Sequence, residues 1–295
     1  MLSSVLTPLT HMLLRNTVRK WFEYDESVFD TRRKVDRMIG LTDPMPRGWQ
    51  AKPAGMAGGG TLYRIEPTQK TQPIKALYFH GGGYSVGGLK THGAFCARLA
   101  RALCGAVMFV DYRLAPEHAF PAAFDDCCAA FAAVAAECPD LLLAGDSAGG
   151  GLALAVTQYG HSTLGLVPKK LLLLSPWLDM TLSGNSMSMN ETTDSMLSAK
   201  ILTRMRAAYL AGQDMRDPRA SPILGELREL PPTLILASTT EVLRADSRRL
   251  KTEVDWLHGK AELIEYAGMP HIFPTLNALP ASKRAIKQIA AFAKA

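Results

Sequence analysis

The stretch Leu141-Leu142-Leu143-Ala144-Gly145-Asp146-Ser147-Ala148-Gly149-Gly150-Gly151 decides how the chain is read. An apolar run of strand type breaks into Gly-Asp-Ser-Ala-Gly, and an alanine- and leucine-rich run of helix type, Leu152 to Tyr159, follows. Strand, sharp turn and helix in this order make an elbow that lifts one side chain, here Ser147, into the open. A Cβ at Gly145 or Gly149 is expected to strike the neighbouring strand or helix, so both places need glycine. The helix from Ala148 onward aims its first N–H groups, and about half a positive charge, at the Ser147 oxygen. Small residues that merely let a helix pack closely on a sheet would give the same pattern. The decision therefore turns on partners elsewhere in the chain.

With 295 residues, 47% hydrophobic and 20% charged, the chain has material for one large α/β domain or two smaller ones. The net charge is +6, but Lys and Arg are spread out, with only short groupings such as Arg32-Arg33-Lys34. That reads as a solvated basic surface and gives no nucleic-acid arm. Of five cysteines (Cys96, Cys104, Cys127, Cys128, Cys138), none has Cys-x-x-Cys spacing, so neither a zinc nor a thioredoxin-type site is expected. All five read as small buried hydrophobes in a reducing compartment. No apolar run approaches the ~18 residues a membrane span needs. Met1 to Leu14 has no basic leader region and no clear cleavage site. The expected location is the cytoplasm, without stable membrane insertion.

Leu6, Leu9, Leu13 and Leu14 recur at helical spacing, and Val18, Trp21 and Phe22 continue the stripe. A second helical segment starts near Asp25 or Ser27, either a suitable N-cap, and runs through Val28, Val35 and Met38 to a stop at Gly40. Both precede the first strand, so they either pack on the core or cover a pocket. Trp49–Ala57 and Thr61–Ile65 make a hairpin across Gly58-Gly59-Gly60. Strands are then expected at Ile74–His80, Val107–Asp111, Leu141–Gly145, Lys170–Ser175, Thr233–Ser238 and Ala261–Tyr266. Helices are expected at His92–Leu103, Ala122–Glu137, Ala148–Gly160, Asp246–His258 and Ser282–Ala295. Such alternation argues for a mostly parallel sheet covered on both faces. Residues 176–232 break the rhythm with a Met/Ser-rich run, Leu182–Ser198, and a helical Ala199–Leu210. So long an excursion, leaving the ligand-binding edge of a sheet, reads as a lid or binding element.

A serine hydroxyl attacks only once a base takes its proton, and the base works best when a carboxylate orients it. His271, in Gly268-Met269-Pro270-His271-Ile272-Phe273, follows the last strand and so reaches the same sheet edge as the elbow. The acid should follow the preceding strand, where Glu241 and Asp246 compete. Glu241 is nearer the strand end and is favoured, because Asp246 suits the N-cap of the next helix. His80-Gly81-Gly82-Gly83-Tyr84 follows the strand at 74–79, and its glycines let backbone N–H groups point into a cavity, as an oxyanion site requires. The N–H of Ala148 is the expected co-donor. No Gly-Lys-Ser/Thr and no dinucleotide-type glycine pattern supports phosphate binding. His80 itself is read as a brace for the loop.

Taken with Asp111-Tyr112-Arg113-Leu114-Ala115-Pro116-Glu117-His118, Phe120-Pro121-Ala122-Ala123, Ser175-Pro176-Trp177-Leu178-Asp179 and Asp217-Pro218-Arg219-Ala220-Ser221-Pro222, these motifs carry a resemblance over roughly residues 75 to 275. The chain resembles the hormone-sensitive-lipase-like branch of the α/β-hydrolases in its bacterial esterase form. The resemblance implies an α/β-hydrolase fold: an eight-stranded, mostly parallel sheet with helices on both faces and a helical cap. Residues 1–45 would be N-terminal cap helices, 181–215 the cap insertion, and 46–180 and 216–295 the two parts of the core. It also implies a serine carboxylesterase for short- to medium-chain acyl esters, with Ser147 as nucleophile, His271 as base, and Gly82, Gly83 and Ala148 as oxyanion donors. The family's acid is usually aspartate at the place of Glu241, although some relatives use glutamate. Asp111, Arg113, Glu117, Asp179, Asp217 and Arg219 are expected to form a supporting ion-pair network. No cofactor and no metal is expected, and the partner is a small-molecule ester. Homodimerisation stays open, since no stretch identifies an interface. The same triad would serve an amidase, deacetylase or lipase, and a non-catalytic ligand-binding member, like the plant gibberellin receptors, would be expected to lack the histidine. Met180, Leu182, Met187, Met189, Met196, Leu197 and Met205 either line an acyl pocket or simply pack the cap.

Overall fold

Leu171 and Leu173 face one core of the molecule and Leu172 and Leu174 the other, all fully buried. A strand turns successive side chains to opposite faces, so an unbroken apolar run needs cover on both. The computed structural model describes residues 2–24 and 27–295, with side chains from residue 6 onward. Its eight strands are β1 (Trp49–Ala57), β2 (Gly60–Pro67), β3 (Ile74–Phe79), β4 (Ala106–Asp111), β5 (Leu142–Asp146), β6 (Lys170–Leu174), β7 (Thr233–Ser238) and β8 (Ala261–Tyr266). They form one sheet in the order β1-β2-β4-β3-β5-β6-β7-β8. Only β2 runs against its neighbours, pairing antiparallel with β1 and β4. Every pair from β4 and β3 through to β7 and β8 is parallel.

The helices are α1 (Leu2–Asn16), α2 (Val18–Tyr24), α3 (Val28–Thr42), α4 (Leu89–Leu103), α5 (Ala122–Glu137), α6 (Ala148–Tyr159), α7 (Ser186–Met189), α8 (Ala199–Leu210), α9 (Arg244–Trp256) and α10 (Pro280–Lys294). Residues of α5, α6 and α9 pack with Leu171 and Leu173, whereas those of α4 and α10 pack with Leu172 and Leu174. The sheet is thus sandwiched, as the alternating pattern requires. Because β3, β5, β7 and β8 run the same way, the loops after them open on one edge. That edge receives Gly81–Gly83, Ser147, Glu241 and His271.

Several local expectations change. Ser27 caps α3, its hydroxyl accepting from the Phe29 N–H at 3.2 Å, while Asp25 lies outside the described residues. The helix runs through Gly40 to Thr42, where the Asp43 N–H closes it on the Ile39 carbonyl at 2.8 Å. The α1 stripe is narrower than its periodicity: Leu14 and Val18 are buried, but Leu9 and Leu13 are half exposed. Cys96, Cys127 and Cys128 are buried, yet Cys104 is exposed and Cys138 only partly covered. Cys104 ends α4 in the left-handed conformation, which turns it away from the apolar face it follows in sequence. All five are free thiols.

Candidate active site

Ser147 joins β5 to α6 with φ +50° and ψ −119°, a conformation that costs an L-residue energy and persists only when its surroundings enforce it. Its N–H donates to the Leu174 carbonyl at 2.9 Å, and its own carbonyl accepts from Gly151 at 3.1 Å and Trp177 at 2.9 Å. The glycines permit this crowding. A Cβ on Gly145 would stand 2.1 Å from the Gly149 carbonyl oxygen, and one on Gly149 would stand 2.1 Å from that of Phe79.

From this elbow the serine meets the two other loops. His271 Nε2 lies 3.0 Å from Ser147 Oγ, and His271 Nδ1 lies 2.6 Å from Glu241 Oε2. A carboxylate only accepts, so Nδ1 carries the proton and Nε2 is free to take one from the hydroxyl. The other Glu241 oxygen, Oε1, accepts from the Ser238 N–H at 2.8 Å, fixing the carboxylate to the end of β7. All three side chains are buried. Burial alone would lower the His271 pKa, but the Glu241 hydrogen bond and charge, with the charges of Asp194 and Asp146, outweigh it and raise the value.

Asp246 does not reach the histidine, nor is it an N-cap. The helix begins earlier, at Arg244, so Asp246 sits in its first turn. Its Oδ2 accepts from the backbone N–H groups of Leu178 (2.8 Å) and Asp179 (3.1 Å), tying α9 to the chain after β6. Burial pushes its pKa up to about 7, with the Asp179 charge adding to the rise, against the two N–H donors and Arg249.

The glycine turn stands opposite. Gly82 and Gly83 have φ of +114° and +60°, and the Gly82 carbonyl accepts from Ser85 (3.1 Å) and Val86 (2.9 Å). A Cβ on Gly82 would lie 2.1 Å from the Val86 carbonyl oxygen, so only glycine fits there. The N–H groups of Gly82, Gly83 and Ala148 have no acceptor among the described residues. Asp146 links turn and elbow, its Oδ1 accepting from Gly81 N–H at 2.9 Å and Tyr78 Oη at 2.5 Å. Burial would raise the Asp146 pKa, but His92, whose Nε2 is 3.4 Å away, together with the Tyr78 hydrogen bond, brings it below the ordinary value. His80 stacks on Tyr112 at 4.1 Å and sits 2.7 Å from the Gly81 carbonyl. Burial first, then the charge of His92, lowers its pKa to about 3, so it is neutral and braces the turn.

Ser147 and His271 line an apolar cleft, whose walls come from α1–α3 (Leu14, Val18, Met38) and from the excursion after β6 (Met196, Leu197, Met205). No Asp, Glu, Lys or Arg is among its described lining residues. The methionines thus divide: Met180 and Met187 are buried away from the cleft, and Met189 is 70% exposed. The expected ion-pair network also divides into separate pairs. Arg113 binds Asp126, Glu117 binds Arg32, Asp179 lies 3.4 Å from Arg249, and Asp217 pairs with Arg219. Asp111 accepts from the Leu89 backbone. Sequence reasoning passed over Asp126, although a second carboxylate beside Asp125 on the apolar face of α5 was a signal. It also passed over Asp194, which nothing local distinguishes. Among the described residues, no cluster of His, Cys, Asp and Glu is placed to hold a metal ion.

Residues 76–275 match the model of a family described as having the alpha/beta hydrolase fold. The chain is 34% identical over 290 residues to an esterase of Acinetobacter venetianus, covering 96% of this chain and 94% of that one. It is 37% identical over 220 residues to an acetyl-hydrolase of Streptomyces hygroscopicus, covering 73% and 74% respectively. A crystal structure of an esterase from the bacterial hormone-sensitive lipase family matches with a TM-score of 0.90 at 32% identity, over 98% of this chain and 97% of that chain.

Proposed function

The chain belongs to the α/β-hydrolase fold family, in its hormone-sensitive-lipase-like branch, and is a carboxylic ester hydrolase; on that premise we propose that Ser147, His271 and Glu241 carry the reaction through an acyl-enzyme. The Ser147 oxygen forms a bond to the ester carbonyl carbon while His271 Nε2 takes its proton. The carbonyl electron pair moves onto oxygen, where the N–H groups of Gly82, Gly83 and Ala148 receive it. Glu241 stabilises the imidazolium. The pair returns, the C–O bond to the alcohol breaks, and the alcohol leaves with the proton from His271. Water then repeats the sequence on the acyl-enzyme and releases the acid. The single observation that carries this reading is the chain Ser147 Oγ, His271, Glu241 at 3.0 and 2.6 Å on the wall of the apolar cleft.

The substrate is a neutral ester of a short- to medium-chain acid, a choice supported by a mostly apolar cleft with no Asp, Glu, Lys or Arg among its described lining residues and by a relative named acetyl-hydrolase. Helices α1–α3 (within 1–45) and the insertion 181–215 form the cap over a core of 46–180 and 216–295. The protein works in the cytoplasm; no described helix is long and apolar enough to cross a membrane. Homodimerisation is carried by the family resemblance alone, and sedimentation of the purified chain tests it. A series of p-nitrophenyl esters from acetate to laurate, with p-nitroanilides beside them, tests the substrate class. Turnover should peak at the short to middle lengths with the anilides inert. A maximum at laurate would favour a lipase, and matching anilide turnover an amidase.

A further inference from the structure

Asp194 is 1% exposed yet belongs neither to the triad nor to the glycine turn. It lies between α7 and α8. Its Oδ1 accepts from the N–H groups of Met196 (2.8 Å) and Leu197 (3.0 Å), two residues that line the cleft. Its Oδ2 accepts from the N–H of Val242 at 2.9 Å, next to Glu241. A carboxylate so deeply buried is tolerated only when donors replace its lost water, and here all three donors are backbone.

Neighbouring side chains grip the same loop. Asn190 Nδ2 donates to the carbonyls of Thr239 (3.1 Å) and Glu241 (2.8 Å). Thr193 Oγ1 donates to the Thr240 carbonyl at 3.1 Å, and Ser186 Oγ to that of Val242 at 2.5 Å. All four residues from Thr239 to Val242 are therefore held by side chains of the excursion. From the far side, Arg15 donates to the Thr192 carbonyl at 2.9 Å and Arg19 to those of Glu191 (3.0 Å) and Asp194 (2.5 Å), so α1 and α2 hold the excursion in turn.

We propose that Asp194 is a positioning residue: it locks the loop bearing Glu241 to the cleft-lining turn at Met196 and Leu197, so that the carboxylate meets His271 only while the excursion is seated. This rests on the roles assigned above to Glu241 and His271. Loss of the lock should slow the chemical step far more than it weakens ground-state binding, because the orientation of the base depends on the lock directly, whereas Met196 and Leu197 are two of many residues lining the cleft.

The test is steady-state hydrolysis of p-nitrophenyl butyrate by the full chain. Asp194→Asn keeps one accepting oxygen and sets an NH2 against an N–H, so one of the two connections breaks. Its kcat should fall about tenfold with KM within about twofold, and the low-field proton resonance of His271 Nδ1 should broaden or move upfield. Asn190→Ala, which frees the Thr239 and Glu241 carbonyls and spares the cleft wall, should lower kcat about threefold or more, again without a KM change. If Asp194→Asn fails to fold, Asn190→Ala decides alone. The proposal is overturned if the folded variants keep the parent kcat and resonance, or if the loss falls on KM. His271→Ala separates the premise: activity retained there would sink the triad itself, whatever Asp194 does.

Discussion

The two halves of the site are built by different means. The elbow and the glycine turn are fixed by main chain packed against main chain, with glycines at 145, 149 and 82 where a Cβ would lie 2.1 Å from a carbonyl oxygen. The acid loop at 239–242 has no such constraint and is held by side chains of Ser186, Asn190, Thr193 and Asp194 from a distant part of the chain. Sterics of the first kind are stiff and local. The second kind depends on a segment whose own seating is made by α1 and α2, so the site's two halves should fail differently.

Replacing Ser147, the proposed nucleophile, gives the largest expected effect. Ser147→Ala should lower kcat for p-nitrophenyl butyrate by about 10⁵-fold or more while leaving the thermal midpoint nearly unchanged. Undiminished turnover would dissolve the comparison, since neither half would then serve the chemistry. Glu241→Gln comes next. One amide oxygen cannot accept from both Ser238 N–H and His271 Nδ1–H, so kcat should drop about 10³- to 10⁴-fold at unchanged KM. A loss under tenfold would mean that the acid loop matters less than the elbow.

The main-chain half is probed by stability. Gly149→Ala places a methyl against the Phe79 carbonyl, and should cost about 3 kcal/mol or more, lowering the thermal midpoint by several degrees. A variant that melts with the parent would show that this half yields more easily than its contacts imply. The smallest effect on turnover belongs to Asp246, which ties to Leu178 and Asp179 rather than to Glu241 or His271. Its carboxyl binds a proton more tightly in the folded chain than in the unfolded one, with a value moved from 3.8 to about 7. Its contribution is therefore full below the ordinary carboxylate value and lost as pH rises to about 7. Asp246→Asn should flatten that part of the melting curve against pH, and an unaltered slope would count against the buried, neutral-leaning acid.

The same division explains what was legible in the sequence. Main-chain constraints leave local marks: glycines at fixed offsets around Ser147, a triple glycine after β3, leucines that fill both faces of β6. The sheet, the elbow and the turn could be read from these marks. Side-chain ties between distant segments leave none. Asp194 stands in a Thr/Ser-rich run with no periodicity to betray that it turns inward, and Asp246 looks like a cap until the helix is found to start at Arg244. The methionines likewise share one composition, and only packing separates Met196 and Met205 at the cleft from Met189 in solvent. Charged motifs misled for a related reason. Asp217 and Arg219 pair with each other two residues apart, whereas the partner of Arg113 is Asp126, outside every motif.

In the proposed mechanism the hydroxyl at 147, the imidazole at 271 and the amides of the glycine turn act on one carbonyl carbon. Rapid mixing with p-nitrophenyl butyrate followed by acid quench and peptide mass analysis tests it directly, with Glu241→Gln used to slow the return of water. A butyryl group should appear on the peptide containing Ser147, and none when that serine is alanine. Continued turnover with the acyl group on another residue, or with no covalent acyl species at any time, would contradict it.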